Sequence, residues 1–147
     1  MTKQLKYDWY FMRIAVETAN MSYATKKKVG CVIAKDNRII AAGWNGTPSG
    51  CDNVCEYINE NGELKTKDDV IHAEMNAIFW CAKQKISTKD ATIYVTLSPC
   101  KNCALGIIQS DIKRVVYLEE YDSTNKSGID LLKKHGILVE KLSETYN

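Results

Sequence analysis

His72 and Glu74 stand either side of Ala73, and farther along the chain Pro99-Cys100-Lys101-Asn102-Cys103 carries two cysteines in C-x-x-C spacing. His72, Cys100 and Cys103 are good zinc ligands. A structural zinc site is normally closed by four protein ligands, whereas a catalytic one keeps a position for water. Three ligands with no fourth in the pattern therefore point to a catalytic zinc. Such a metal lowers the pKa of its water to roughly 7, and Glu74 is a carboxylate that can take up and return the water's protons. The chemistry expected is hydrolysis with general acid–base help from Glu74, a contribution of about 10²–10⁴ in rate. The competing reading is a zinc-stapled domain with Glu74 as an ordinary surface acid.

The spacing constrains the elements that carry these residues. Positions two apart on a helix do not share a face, so His72 and Glu74 converge on one metal only near the first turn, with the site beyond the helix end. Ala73 between them is small and leaves room for a close approach. Cys100 and Cys103, three apart, share a face of a first turn, and Pro99 suits a helix start. Two helix N-termini should thus meet at the metal, where backbone N–H groups and helix dipoles stabilise the thiolates.

The remaining periodicities give the scaffold. A helix is expected from about Tyr7 to Asn20, with Tyr7, Phe11, Ile14 and Thr18 on one face. A polar, basic loop, 22–28, precedes two apolar strands, 29–34 and 39–44, joined by a turn at Lys35-Asp36-Asn37-Arg38. Residues 45–69 read as a long irregular stretch, which in a compact domain is usually functional or mobile. A nearly all-apolar helix follows over 72–83, then a strand at 91–96, a helix at 100–110, a strand at 114–118, a helix at 129–135 and a strand at 137–140. Strand–helix alternation in the second half predicts an α/β sheet covered by helices on both faces, in one domain spanning 1–147.

Composition sets outer limits. A chain of 147 residues, 45% hydrophobic and 26% charged, can build a core and does not have the composition of a disordered one. A net charge of +2 gives no nucleic-acid footprint. No run is apolar enough to span a membrane, and Met1–Lys6 lacks the apolar core of a signal peptide, so a cytoplasmic protein is expected. Of six cysteines, Cys31 and Cys81 lie in apolar runs and read as buried thiols. Cys51 and Cys55 sit in the irregular stretch, where a disulfide is disfavoured without a secretory signal and no nearby histidine completes a second metal site.

The H-x-E … P-C-x-x-C pattern is the signature of zinc-dependent nucleobase deaminases. Over nearly its whole length the chain resembles the cytidine deaminase superfamily and, within it, the deoxycytidylate (dCMP) deaminases, in a compact form similar to bacterial and phage members. The resemblance rests on Val29–Ile33, Gly43-Trp44-Asn45-Gly46-Thr47-Pro48-Ser49-Gly50, His72–Ile78 and Thr96–Cys103. It implies a three-layer α/β/α sandwich with a central five-stranded mixed sheet. It also implies hydrolysis of dCMP to dUMP and ammonia, with zinc between the helices that begin at His72 and Cys100.

The same resemblance implies finer roles. Asn45 would bond the sugar hydroxyl, the Ser98 backbone carbonyl would meet the exocyclic amine, and Ala73 would lie against the substrate. Tyr121, in Glu119-Glu120-Tyr121-Asp122, would close over the nucleotide. Lys26 and Lys28 are candidates for the phosphate, against the alternative of a solvated turn. A homohexamer is implied, activated by dCTP and inhibited by dTTP with Mg²⁺ accompanying the triphosphate, and Gly43, Trp44 and Gly46 would form the responsive segment. Such a protein would work in the cytoplasm, the host's if the chain is a phage's. The second, structural zinc of some phage relatives is not carried over, since loop 22–28 has no cysteine and 53–69 no histidine. Rival readings are a deaminase of tRNA adenosine or free cytidine, and a non-enzymatic zinc-binding module.

Overall fold

The structure, a computed structural model, describes residues 1–121 and 125–142. In chain order its elements are α1 (Lys3–Ala19), β1 (Gly30–Lys35), β2 (Arg38–Trp44), β3 (Glu56–Ile58), β4 (Leu64–Thr66), α2 (Ala73–Lys83), β5 (Thr92–Leu97), α3 (Lys101–Gln109), β6 (Arg114–Glu119), α4 (Ile129–Lys134) and β7 (Leu138–Lys141). Five strands form one mixed sheet in the order β2-β1-β5-β6-β7, antiparallel through β2, β1 and β5 and parallel through β5, β6 and β7.

Strand alternation splits the core into two layers. Cys31 and Ile33 of β1, Ile93 and Val95 of β5, and Val115 and Tyr117 of β6 face α2, α3 and α4. Their neighbours Val32, Ala34, Tyr94 and Val116 face Phe11, Met12 and Ala15 of α1. Side chains two apart on a strand share a face, so each central strand serves both layers. The result is the expected three-layer sandwich. None of the described helices is long and apolar enough to cross a membrane.

Two consecutive positive-φ residues, Asp36 (52°) and Asn37 (58°), close the β1–β2 hairpin. Type I′ turns require this, and Asn and Asp accept it, so the expected turn is where the strands reverse. Helix α1 begins four residues before its expected start at Tyr7, because the Thr2 hydroxyl accepts a hydrogen bond from the Leu5 amide at 3.1 Å and caps it. Its buried stripe is Asp8, Phe11, Met12, Ala15 and Ala19. The expected face is rotated: only Phe11 of the four is fully buried, and Tyr7, Ile14 and Thr18 form its flank.

The stretch 45–69 is not irregular throughout. Its β3 and β4 pair antiparallel around a turn in which Asn59 Oδ1 accepts from the Asn61 and Glu63 amides at 3.0 and 2.8 Å. Three-residue strands that are mostly exposed carry too little alternation to be read from sequence.

Asp8 is the unforeseen member of α1: a carboxylate only 3% exposed. It takes both arms of the Arg114 guanidinium, Nη1 to Oδ1 at 2.8 Å and Nη2 to Oδ2 at 2.7 Å, with the Tyr94 hydroxyl donating to Oδ1 at 2.7 Å and Gln4 at 2.9 Å. Burial pushes the Asp8 carboxyl up, but the bonds from Arg114, Tyr94 and Gln4 outweigh it and hold it below the ordinary carboxylate value. A depressed folded-state pKa contributes stability above the unfolded value of about 3.9 and loses it as pH falls through the folded one. Asp8→Asn should therefore cost about 3 kcal/mol at pH 7, near the lower end for breaking a buried pair, because Arg114 keeps Glu140 at 2.7 Å. Urea titrations should show the gap from wild type closing below about pH 4; an equal gap at pH 7 and pH 3 would contradict a role for the charge.

Candidate active site

His72 and Cys100 occupy the N-cap positions of α2 and α3, both in extended conformation. An N-cap residue is the last before the helical turn, so its side chain projects past the helix end. Cys103 lies three residues into α3, and its backbone amide points at Cys100 Sγ at 3.5 Å. The two helices thus present their positive ends to one point, as the spacing requires. His72 Nδ1 is 3.5 Å from Cys100 Sγ and 3.3 Å from Cys103 Sγ, and the three donor atoms lie within 4.8 Å of one another. Tetrahedral zinc with its usual bond lengths has N–S edges of about 3.6 Å. The donor set and its spacing fit zinc, and it is the one metal-capable cluster of histidine, cysteine and carboxylate groups among the described residues.

The two neighbouring thiols shift each other in opposite directions. A hydrogen bond from Cys103 draws Cys100 down to about 4, and the same bond, with burial and Glu74, raises Cys103 far above an ordinary thiol. Interaction with Cys100 raises His72. A metal held here would displace the thiol protons, because thiolate and neutral imidazole are the ligating forms. Glu74 is 3% exposed in the first turn of α2. Burial pushes its carboxyl up to about 7, and a dication on the trio would favour the ionised form again.

These residues border a cavity of ≈ 720 Å³. His72, Ala73, Glu74 and Cys100 line its floor, and Asn45, Ser98, Tyr121 and Lys26 line it too; Cys103 is buried behind. Lys28 does not line it, whereas Lys27 does, because Asn45 holds the backbone at Lys27 and the Lys27 ammonium pairs with Glu119 on the cavity wall. Asn45 Oδ1 accepts from the Val29 amide at 2.9 Å and its Nδ2 donates to the Lys27 carbonyl at 2.8 Å. Asn45 thus braces the basic loop, with one amide hydrogen left for a ligand. The Ser98 hydroxyl accepts from the Tyr121 amide at 2.8 Å, tying that aromatic residue to the end of β5. Asp122, beside it, lies outside the described residues.

Gly43, Trp44 and Gly46 do not line the cavity. A Cβ on Gly43 would stand 2.5 Å from the Ala73 carbonyl, so this glycine serves the close packing of β2 on α2. Trp44 and Gly46 are tethered to the start of that helix: Asn76 Nδ2 donates to the Trp44 carbonyl at 2.7 Å, and Gly46 exchanges backbone bonds with Ile71 at 3.1 and 2.8 Å. Cys51 is an exposed free thiol and Cys55 a buried one.

Sequence reasoning missed Lys27, which pairs with Glu119 at 2.7 Å, and also Lys126 and Glu56, both on the cavity wall. No local pattern marks them. Glu56 meets loop 22–29 across a separation of 31 residues, and only the pairing of β3 with β4 turns it inward.

Comparison with known proteins adds four likenesses. Residues 5–119 match the family model for the cytidine and deoxycytidylate deaminase zinc-binding region. The deoxycytidylate deaminase of Enterobacteria phage T4 is 36% identical over 165 aligned positions, covering 87% of this chain and 86% of that protein; the human deoxycytidylate deaminase is 37% identical, covering 87% and 74%. A crystal structure of dCMP deaminase from the cyanophage S-TIM5 in complex with dCMP and dUMP matches with a TM-score of 0.85 at 38% identity, covering 97% of this chain and 99% of that one.

Proposed function

This chain belongs to the family of zinc-binding cytidine and deoxycytidylate deaminases, and from that membership we propose that it hydrolyses dCMP to dUMP and ammonia, supplying dUMP for thymidylate synthesis. The observation that carries the reading is the buried Glu74 carboxylate beside the His72, Cys100 and Cys103 donors at the floor of one cavity. Held by those three side chains, zinc would supply the Lewis acidity that makes water a nucleophile at neutral pH. Glu74 takes the proton of the attacking water on a carboxylate oxygen and passes it to the ring nitrogen beside the reacting carbon. A second proton moves through the same carboxylate to the departing amine, so water is consumed and ammonia released. Ala73, with no bulk beyond Cβ, lets the base lie against the start of α2. The Ser98 carbonyl orients the exocyclic amine, Asn45 reaches the sugar hydroxyl and Tyr121 covers the nucleotide. Lys26 meets the phosphate, with Lys27 and Lys126 adding positive charge nearby.

The reading extends to regulation: a homohexamer that dCTP activates and dTTP inhibits, with Mg²⁺ carried by the triphosphate. The tether from Trp44 and Gly46 to Asn76 and Ile71 supports it. A ligand that shifts this segment moves Asn45 and the start of α2 together, and such coupling is typically worth about 1–3 kcal/mol.

The test is ammonia release from dCMP, CMP, deoxycytidine, dCTP and a tRNA anticodon stem-loop, with dCMP saturation repeated in each triphosphate and the oligomer's mass measured. The expected result is dCMP first, with deoxycytidine at least about tenfold lower in kcat/KM for want of charge-assisted contacts. Equal kcat/KM for the two sinks the phosphate contact. A monomer indifferent to both triphosphates removes the regulation and leaves the chemistry standing. Zinc without ammonia from any substrate favours the non-enzymatic module.

A further inference from the structure

Loop 22–29 runs along the cavity and is clamped by side chains from two other segments. Asn45 holds its far end at Lys27 and Val29. Glu56, on β3, holds its middle: Oε2 accepts from the Thr25 and Lys26 amides at 3.0 and 3.1 Å, and Oε1 from the Thr25 hydroxyl at 3.1 Å. Glu56 is only 9% exposed, although the two residues it holds are themselves exposed. A buried carboxylate on the wall of a cavity that takes an anionic ligand opposes that ligand through its charge. Its benefit must come through the backbone it fixes. Lys26 makes no ion pair among the described residues, whereas Lys27, its neighbour, is committed to Glu119. Of these two neighbours, the one whose amide Glu56 grips is thus the one without an ion pair among the described residues, and ordering its backbone beforehand removes a cost from binding.

We infer that Glu56 is a positioning residue for the phosphate end of the substrate: its three hydrogen bonds preorder Thr25 and Lys26 so that the Lys26 ammonium meets the nucleotide's 5′-phosphate. This rests on the function proposed above. It also gives the β3–β4 hairpin a task, since that pairing is what carries Glu56 to the loop.

Glu56→Ala and Glu56→Gln, compared with wild type on dCMP and on deoxycytidine, test it. Glutamine keeps the bonds, its carbonyl accepting from the two amides while its NH₂ donates to the Thr25 hydroxyl. Glu56→Ala should raise KM for dCMP about tenfold or more, with kcat little changed, zinc retained and deoxycytidine turnover unaltered. Glu56→Gln should stay near wild type. In the double variant with Lys26→Ala, Glu56→Ala should add almost nothing, because both remove one contact. Should Glu56→Ala fail to fold, Thr25→Val deletes the hydroxyl bond from the other side and should show a smaller rise in KM confined to dCMP. The inference is overturned if Glu56→Ala weakens both substrates alike, leaves KM for dCMP unchanged, or is matched by Glu56→Gln, or if Thr25→Val spares dCMP. Wild type that releases no ammonia from dCMP overturns the proposed function itself, and is recognised before any variant is compared.

Discussion

Glu74→Gln is expected to retain stoichiometric zinc and to lose about 10²–10⁴ in kcat, the scale of a positioned general acid–base. Glutamine matches the shape of glutamate and sits in the same first turn of α2, so packing around Ala73 and Ala77 need not change. What it cannot do is accept a proton from water and return it to a ring nitrogen. Substrate affinity should survive, which separates this variant from one that damages the cavity: kcat falls while KM for dCMP stays within a few-fold. Zinc content by metal analysis and ammonia release together decide the matter. A zinc-loaded Glu74→Gln protein with full turnover would remove Glu74 from the mechanism and leave its burial at 3% exposure as a packing fact alone.

Cys100→Ala and Cys103→Ala should each lose both metal and activity. A trio has no ligand to spare, and binding free energy at such a site also stabilises the fold. The two variants should differ in a second respect. Cys100 is the N-cap of α3, with its sulfur 3.5 Å from the Cys103 amide, and alanine at a cap costs about 1 kcal/mol. Cys103 lies within the first turn of α3, 2% exposed, where losing one sulfur leaves a small cavity. Compared after chelation, so that zinc no longer contributes, Cys100→Ala should therefore expose the start of α3 to faster amide exchange than wild type does. Stoichiometric zinc in both variants would point to a metal site other than this one. His72, the third donor, is the N-cap of α2 and makes no side-chain cap bond, so its imidazole remains available to a metal.

The sequence by itself determined what is local. The His72, Cys100 and Cys103 cluster that fits zinc, and Glu74 beside it, were legible because each pair lies within one helical turn, and the geometry of a first turn follows from a few adjacent residues. The turn at Asp36 and Asn37 was legible for the same reason, as were the order of the major helices and strands and the layered α/β form. Resemblance carried further, to the five-stranded mixed sheet. What only the tertiary structure decided joins residues far apart in the chain. No local pattern marks Asp8 for burial, and β6 brings Arg114 to it across a separation of 106 residues. The β3–β4 hairpin was hidden because three exposed residues show no period, yet it delivers Glu56 to Thr25 and Lys26. Among three consecutive exposed lysines, sequence favoured Lys26 and Lys28; the structure turns Lys26 and Lys27 to the cavity. A loop has no periodicity to assign its faces. Its path is set by the backbone bonds that Asn45 and Glu56 make to it, and those partners meet the loop only when the sheet and the hairpin are folded.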